Sequence, residues 1–148
     1  MTEPRIRSIA EVVLNASDLT RSVEFYKRTL GFEQRAAFPE DNPTIVFLHA
    51  GSEPGPGDSA HRPMLVLIDP ARHEHAVGKF GKPDAFTGTL NHLAFDIRPE
   101  DYEHERDRLG SLGIEVFETR FDWLGARAMF FADPDGNRLE LIAREPAE

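Results

Sequence analysis

Cysteine is absent from this chain of 148 residues. That excludes disulfides, thiolate metal ligands and a cysteine nucleophile, so any metal must be held by nitrogen and oxygen. Basic charge is also in deficit: 17 lysines and arginines stand against 26 aspartates and glutamates, a formal charge of −9. Nucleic-acid backbones and anionic membranes select basic patches, so neither is expected as a partner. The acids and bases are interspersed, which reads as a solvated surface. No apolar run approaches the roughly 20 residues of a membrane helix. The start "MTEPRIRS" lacks the apolar core of a secretory signal, and a cytoplasmic protein is expected. What remains is 40% hydrophobic, enough for one domain with a respectable core, or for two small halves sharing one.

The chain repeats itself. "SIAEVVLNASDLTRSVEFYKRTLGFE" and "TLNHLAFDIRPEDYEHERDRLGSLGIE" share a layout of alternating strand followed by helix. In the first helix Leu19, Val23, Tyr26 and Leu30 fall at helical spacing, Ser17 or Asp18 can cap the start, and Gly31 suits the left-handed position past the end. In the second, Pro99, Glu100 and Asp101 suit a first turn, Tyr102, Leu109 and Leu112 form a thinner stripe, and Gly113 ends it. Extended segments follow at 33–38, 44–49 and 63–69, then at 114–121, 126–132 and 138–143. The order is strand, helix, three strands, twice. This predicts an α+β chain with module one at about 8–69, a connector at 70–88 that holds a short helix at best, and module two at about 89–143. A tight turn, "DPDGN", joins the last two strands of module two, whereas module one inserts "AGSEPGPGDSAHR", rich in Gly and Pro.

Aligning "RPMLVLID" with "GNRLELIA" puts Val66 at the place of Glu140, and aligning "IAEVVLNASDL" with "LNHLAFDIRPE" puts Glu11 at the place of His92. Side chains alternate along a strand, so Glu11, Val13 and Asn15 share one face while Ala10, Val12 and Leu14 share the other. His92 likewise opposes Leu93, and Glu140 opposes Leu139 and Leu141. The apolar face can pack on a helix while the polar residue faces away. If the two sheets curl around a common cleft, Glu11, His92 and Glu140 all point into it.

The runs "VVLNASDLTRSVEFYKRTLGF", "LNHLAFDI" and "FFADPDGNRLELI" resemble the vicinal oxygen chelate superfamily, which includes glyoxalase I, methylmalonyl-CoA epimerase, extradiol dioxygenases, fosfomycin-resistance enzymes and bleomycin-binding proteins. The pair "DPDGNRLELI" and "DL..SV.FY...LGF" carries that resemblance over nearly the whole chain. It implies two βαβββ modules forming an open barrel-like cleft, with metal ligands from the first and last strands of the modules. Those slots are Glu11, Val66, His92 and Glu140 in this sequence. Glu11 stands where many members have histidine, and Val66 where four-ligand members have a glutamate or glutamine, so the complete glyoxalase I set is absent.

The resemblance therefore implies one divalent ion, Mn, Fe, Co, Ni or Zn, on Glu11, His92 and Glu140, with open positions for a substrate bearing two neighbouring oxygens. Two anionic ligands weaken Lewis acidity and depart from the two-histidine, one-carboxylate set of iron oxygenases. Isomerase or lyase chemistry is thus preferred to dioxygenase chemistry, with Glu11 and Glu140 as catalytic candidates and Glu11 either a ligand or a general base. Asn15, Phe121, Trp123 and Arg127 are candidates to line a substrate pocket, Arg127 for an anionic group. His73 and His75 read as connector residues, and His49 and His61 border the long loop without an assigned role. The alternative is a metal-free small-molecule binding protein of the bleomycin-resistance kind. A homodimer is expected whether the modules pair within or between chains.

Overall fold

Strand, helix and three further strands occur twice in the computed structural model, which describes residues 5, 9–53, 62–73 and 90–145. His61, His75 and the rest of the connector lie outside the described residues, as does the Trp123 side chain. Two compact units are present, Met1–Lys82 and Pro83–Glu148. The first contains β1 (Glu11–Asn15), α1 (Leu19–Leu30), β2 (Glu33–Phe38), β3 (Ile45–His49) and β4 (Met64–Ile68). The second contains β5 (Leu93–Ile97), a 3-10 turn (Pro99–Asp101), α2 (Tyr102–Ser111), β6 (Phe117–Phe121), β7 (Ala126–Ala132) and β8 (Arg138–Arg144), with a second 3-10 turn at Asp122–Leu124. Each unit carries one four-stranded sheet, ordered β1-β4-β3-β2 and β5-β8-β7-β6, so the class is α+β with two βαβββ modules. No helix among the described residues is long and apolar enough to cross a membrane.

Local chemistry sets the helix ends. Asp18, not Ser17, caps α1, its carboxylate accepting the amide of Arg21 at 3.1 Å, which satisfies one of the free N–H groups of the first turn. Gly31 closes the helix at φ 69°, a conformation that costs glycine little. Leu19, Val23 and Tyr26 are buried, and the Tyr26 ring stacks on Phe32 with centroids 6.1 Å apart. On the sheet of this module Leu14, Val46, Leu48, Leu65 and Leu67 share one face by their pairing, and all are buried. Burying side chains of this kind stabilises by roughly 1.5–3 kcal/mol each.

The second module repeats the pairing of β1 with β4 and of β3 with β4 residue for residue. Val13 faces Val66 and Phe47 faces Val66 in module one; Ala94 faces Glu140 and Phe130 faces Glu140 in module two. The alignment made from sequence is therefore the alignment of the two ladders. One element departs from expectation: β6 starts at Phe117, not Ile114. The Ile114 amide donates to the Leu109 carbonyl at 3.1 Å, closing α2, so the chain cannot join the ladder until three residues later. β7 runs on past its last β6 pair, Phe117 with Phe130, leaving Phe131 and Ala132 without a β6 neighbour.

The "DPDGN" turn is locked from within. Asp133, itself buried, accepts the amides of Asp135 and Asn137 and the Asn137 side-chain N–H, all at 2.8–2.9 Å. Its own amide donates to the Asn137 carbonyl at 3.0 Å. The turn hands β8 a fixed starting point.

Candidate metal centre

Glu140 sits in mid-β8 between Leu139 and Leu141, and only 4% of it is exposed. A carboxylate held there without compensation is costly. Its partner is His92, just before β5, which lies two residues along the parallel ladder on the same face. Nε2 of His92 stands 3.0 Å from Oε2 of Glu140. The imidazole is held on its other side by Asn91, whose Oδ1 is 2.7 Å from Nδ1. Phe130, the cross-strand neighbour of Glu140, meets the His92 ring edge-on with centroids 5.6 Å apart.

This arrangement fits a divalent ion. With Nδ1 engaged by Asn91, Nε2 is the nitrogen turned toward Glu140, and an imidazole nitrogen beside a carboxylate, its other nitrogen held by a polar neighbour, is a donor pair of the kind that holds divalent ions. No group of three or more histidines, aspartates or glutamates that could hold a metal ion is present among the described residues; His92 and Glu140 stand there as a pair.

Glu11 lies on β1 and is exposed, its carboxylate without a hydrogen bond or ion pair among the described residues. It shares its face with Val13 and with Asn15, which is also exposed. Val66, the slot equivalent to Glu140, is 1% exposed and apolar, so module one has no counterpart acid at that position. Phe121 is on the Glu140 face, packed against the cluster of Ala126, Ala128 and Ile142. The backbone of Trp123 lies in the 3-10 turn after β6.

Arg127 corrects the sequence reading. It was expected along the pocket, but it lies an odd number of residues from Phe130 on β7 and so points to the opposite face. There its guanidinium sits over the ring of Tyr102, 4.2 Å from the centroid, and 3.7 Å from Glu103. The Tyr102 hydroxyl donates to the Ala128 carbonyl at 3.0 Å and to Glu118 at 3.2 Å. Burial first, then the Glu118 charge, pushes the Tyr102 hydroxyl up to about 12. Arg127 and Tyr102 pin α2 to its sheet. His73 is likewise structural, its Nδ1 2.9 Å from the Thr44 hydroxyl.

Sequence reasoning missed three residues at this end of module two: Asn91, Phe130 and Arg138. Arg138 was within reach, since it lies two residues before Glu140 and strand parity puts both on one face. Phe130 required the β7–β8 register, and Asn91 the rotamer of His92.

The chain is 25% identical over 137 residues to metallothiol transferase FosB of Staphylococcus saprophyticus, covering 92% of this chain and 76% of that protein. It is 26% identical over 136 residues to glutathione transferase FosA of Serratia marcescens, covering 92% and 80%. Among solved structures, a glyoxalase/dioxygenase from Nostoc punctiforme superposes with a TM-score of 0.68 at 22% identity, covering 99% of this chain and 97% of that one, a likeness of fold. The family model matches residues 8–141, across both repeats. The chain belongs to the glyoxalase/bleomycin resistance protein/dioxygenase superfamily.

Proposed function

We propose that this protein is a cytoplasmic, divalent-metal-dependent enzyme acting on a small oxygen-bearing metabolite by isomerase, lyase or group-transfer chemistry. The observation that carries the reading is the buried Glu140 carboxylate facing Nε2 of His92 at 3.0 Å. The names of the two transferase relatives support it, since one is a metallothiol transferase. His92 and Glu140 hold the ion from module two, and Glu11 completes the set from a first module, of the same chain or of a second. Mn, Fe, Co, Ni and Zn all tolerate such a nitrogen and oxygen set.

When bound, the ion supplies Lewis-acid chemistry, stabilising negative charge that develops on a substrate with two neighbouring oxygens. The protein's own groups do the rest. Asn91 holds the His92 ring so that Nε2 faces inward, and Phe130 packs against that ring and screens the carboxylate from water. Glu11, exposed on its strand, is able to exchange between ligation and accepting a substrate proton at a carboxylate oxygen. The open edges at β1 and β5 suit pairing between copies, and a homodimer is part of the proposal.

Elemental analysis of protein purified without chelator tests the reading. One divalent ion per chain is the expected result, lost in Glu140→Gln and His92→Ala. Wild-type protein that takes up none of Mn, Co, Ni or Zn overturns it and leaves a metal-free ligand-binding protein. Light scattering that finds a monomer at micromolar concentration removes the dimer.

A further inference from the structure

We infer that Arg138 anchors the oxyanion of a ligand whose other end is apolar and uncharged. This rests on the reading of His92 and Glu140 as the reacting end of the site. Arg138 opens β8 on the same face as Glu140. Its guanidinium has no hydrogen bond or ion pair among the described residues. Elsewhere in this module Arg98, Arg106, Arg108, Arg120 and Arg127 are all ion-paired. Arg144 also lacks a partner among the described residues, but it lines neither of the cavities that Arg138 lines.

Arg138 lines two cavities at once. The larger, of about 730 Å³, opens where β6 fails to follow β7, between Ile114, Glu115 and Phe117 on one side and Phe130 and Arg138 on the other. The smaller, of about 250 Å³, lies between Arg138, Asn137 and Asn91, the residue that holds His92. The first is walled by aromatic and aliphatic carbon, the second by amides. Phe117 is 63% exposed there, a large apolar side chain with no place in the core. Small-molecule sites combine such an apolar wall with a few placed polar groups.

An unpaired guanidinium beside an apolar wall selects an oxyanion, because its fork of donors matches carboxylate and phosphoryl oxygens in pairs. Glu115 on the opposite rim repels a second negative group. The ligand class is therefore a small molecule with one carboxylate or phosphoryl end and a neutral, apolar remainder, held with its anion a short reach from His92.

Three probes test this on the full-length protein: phenylacetate, phenylphosphonate and neutral phenylacetamide, titrated calorimetrically and by backbone amide shifts with EDTA present. Wild-type protein should bind at least one of the two anions, and not the amide, with shifts concentrated at residues 113–117 and 136–138. Which anion binds tighter distinguishes a carboxylate ligand from a phosphoryl ligand. Arg138→Gln should weaken that binding roughly tenfold or more, and Arg138→Lys should fall between, keeping the charge but not the fork. Absence of binding by both anions at millimolar concentration, equal binding of the amide, or wild-type affinity in Arg138→Gln overturns the assignment. Failure of wild-type protein to bind metal while Arg138-dependent anion binding persists strikes only the metal reading.

Discussion

Glu140→Gln separates a metal ligand from a structural ion pair. In metal-free protein the substitution removes a buried negative charge whose partner, His92, is about one-third exposed to water. The amide keeps the shape of the acid, so the midpoint in EDTA should stay level or rise slightly. With Mn added at about a hundred times its dissociation constant, wild-type protein gains about 2.7 kcal/mol, roughly 5–10 °C for a chain of this size. If the variant binds about a hundredfold more weakly, its gain at the same concentration is only about 0.4 kcal/mol. Differential scanning fluorimetry resolves that difference. A structural pair behaves in the opposite way: the variant in EDTA loses about 3 kcal/mol or more, and any increment from metal is unchanged. Either observation refutes the reasoning. Asn91→Ala should fall between the two proteins, losing about tenfold to a hundredfold in metal affinity through its hold on His92.

Alkaline pH gives a second test. In the unfolded chain Tyr102 ionises near pH 10, whereas in the folded protein it does so at about 12. The stability it contributes is intact below pH 10 and is lost as pH rises toward 12, about 2.7 kcal/mol in all. Tyr102→Phe should be about 1 kcal/mol less stable at neutral pH, because the Ala128 carbonyl loses its donor, yet it should lack the part of the alkaline decline due to this residue; parallel urea titrations at pH 8 and 11 read both effects. Val66→Glu should destabilise metal-free protein by about 1–3 kcal/mol, since Val66 is buried, and should tighten metal binding if the slot is a vacated ligand position; isothermal titration with Mn reads the affinity. Glu11→Gln should lower metal content if Glu11 is a ligand, and should spare the metal while abolishing turnover if it is the base.

Much of the fold was legible because its signals are local. The Asp18 cap, Gly31, the apolar spacing of α1 and the alternation in β1, β4 and β8 each act over a few residues, and the repeat supplied a second copy of every element. The His92–Glu140 pair was legible for the same reason: two strands of known parity and one internal alignment placed both on one face. Arg127 was not, because assigning it to the pocket ignored its odd spacing from the rest of the Glu140 face and the Tyr102 ring that draws it to α2. The late start of β6, and with it the cavity beside Phe117, depends on Ile114 being claimed by the end of α2, a competition between two elements that alternation along one segment does not reveal.

The lock at Asp133 has a consequence for how this chain tolerates change. Asn137 is tied to Asp133 through its amide, its carbonyl and its side chain, so the phase of the β8 pleat is set at its first residue. Glu140 faces His92 only because it lies three residues beyond that clamp. One residue gained or lost between them would turn the carboxylate under α2 and swing a leucine toward His92, as any single-residue slip does in a strand. The stretch from Asp133 to Glu140 therefore accepts substitution at many of its positions but no change of length. It behaves as a ruler, with the acid as its graduation mark.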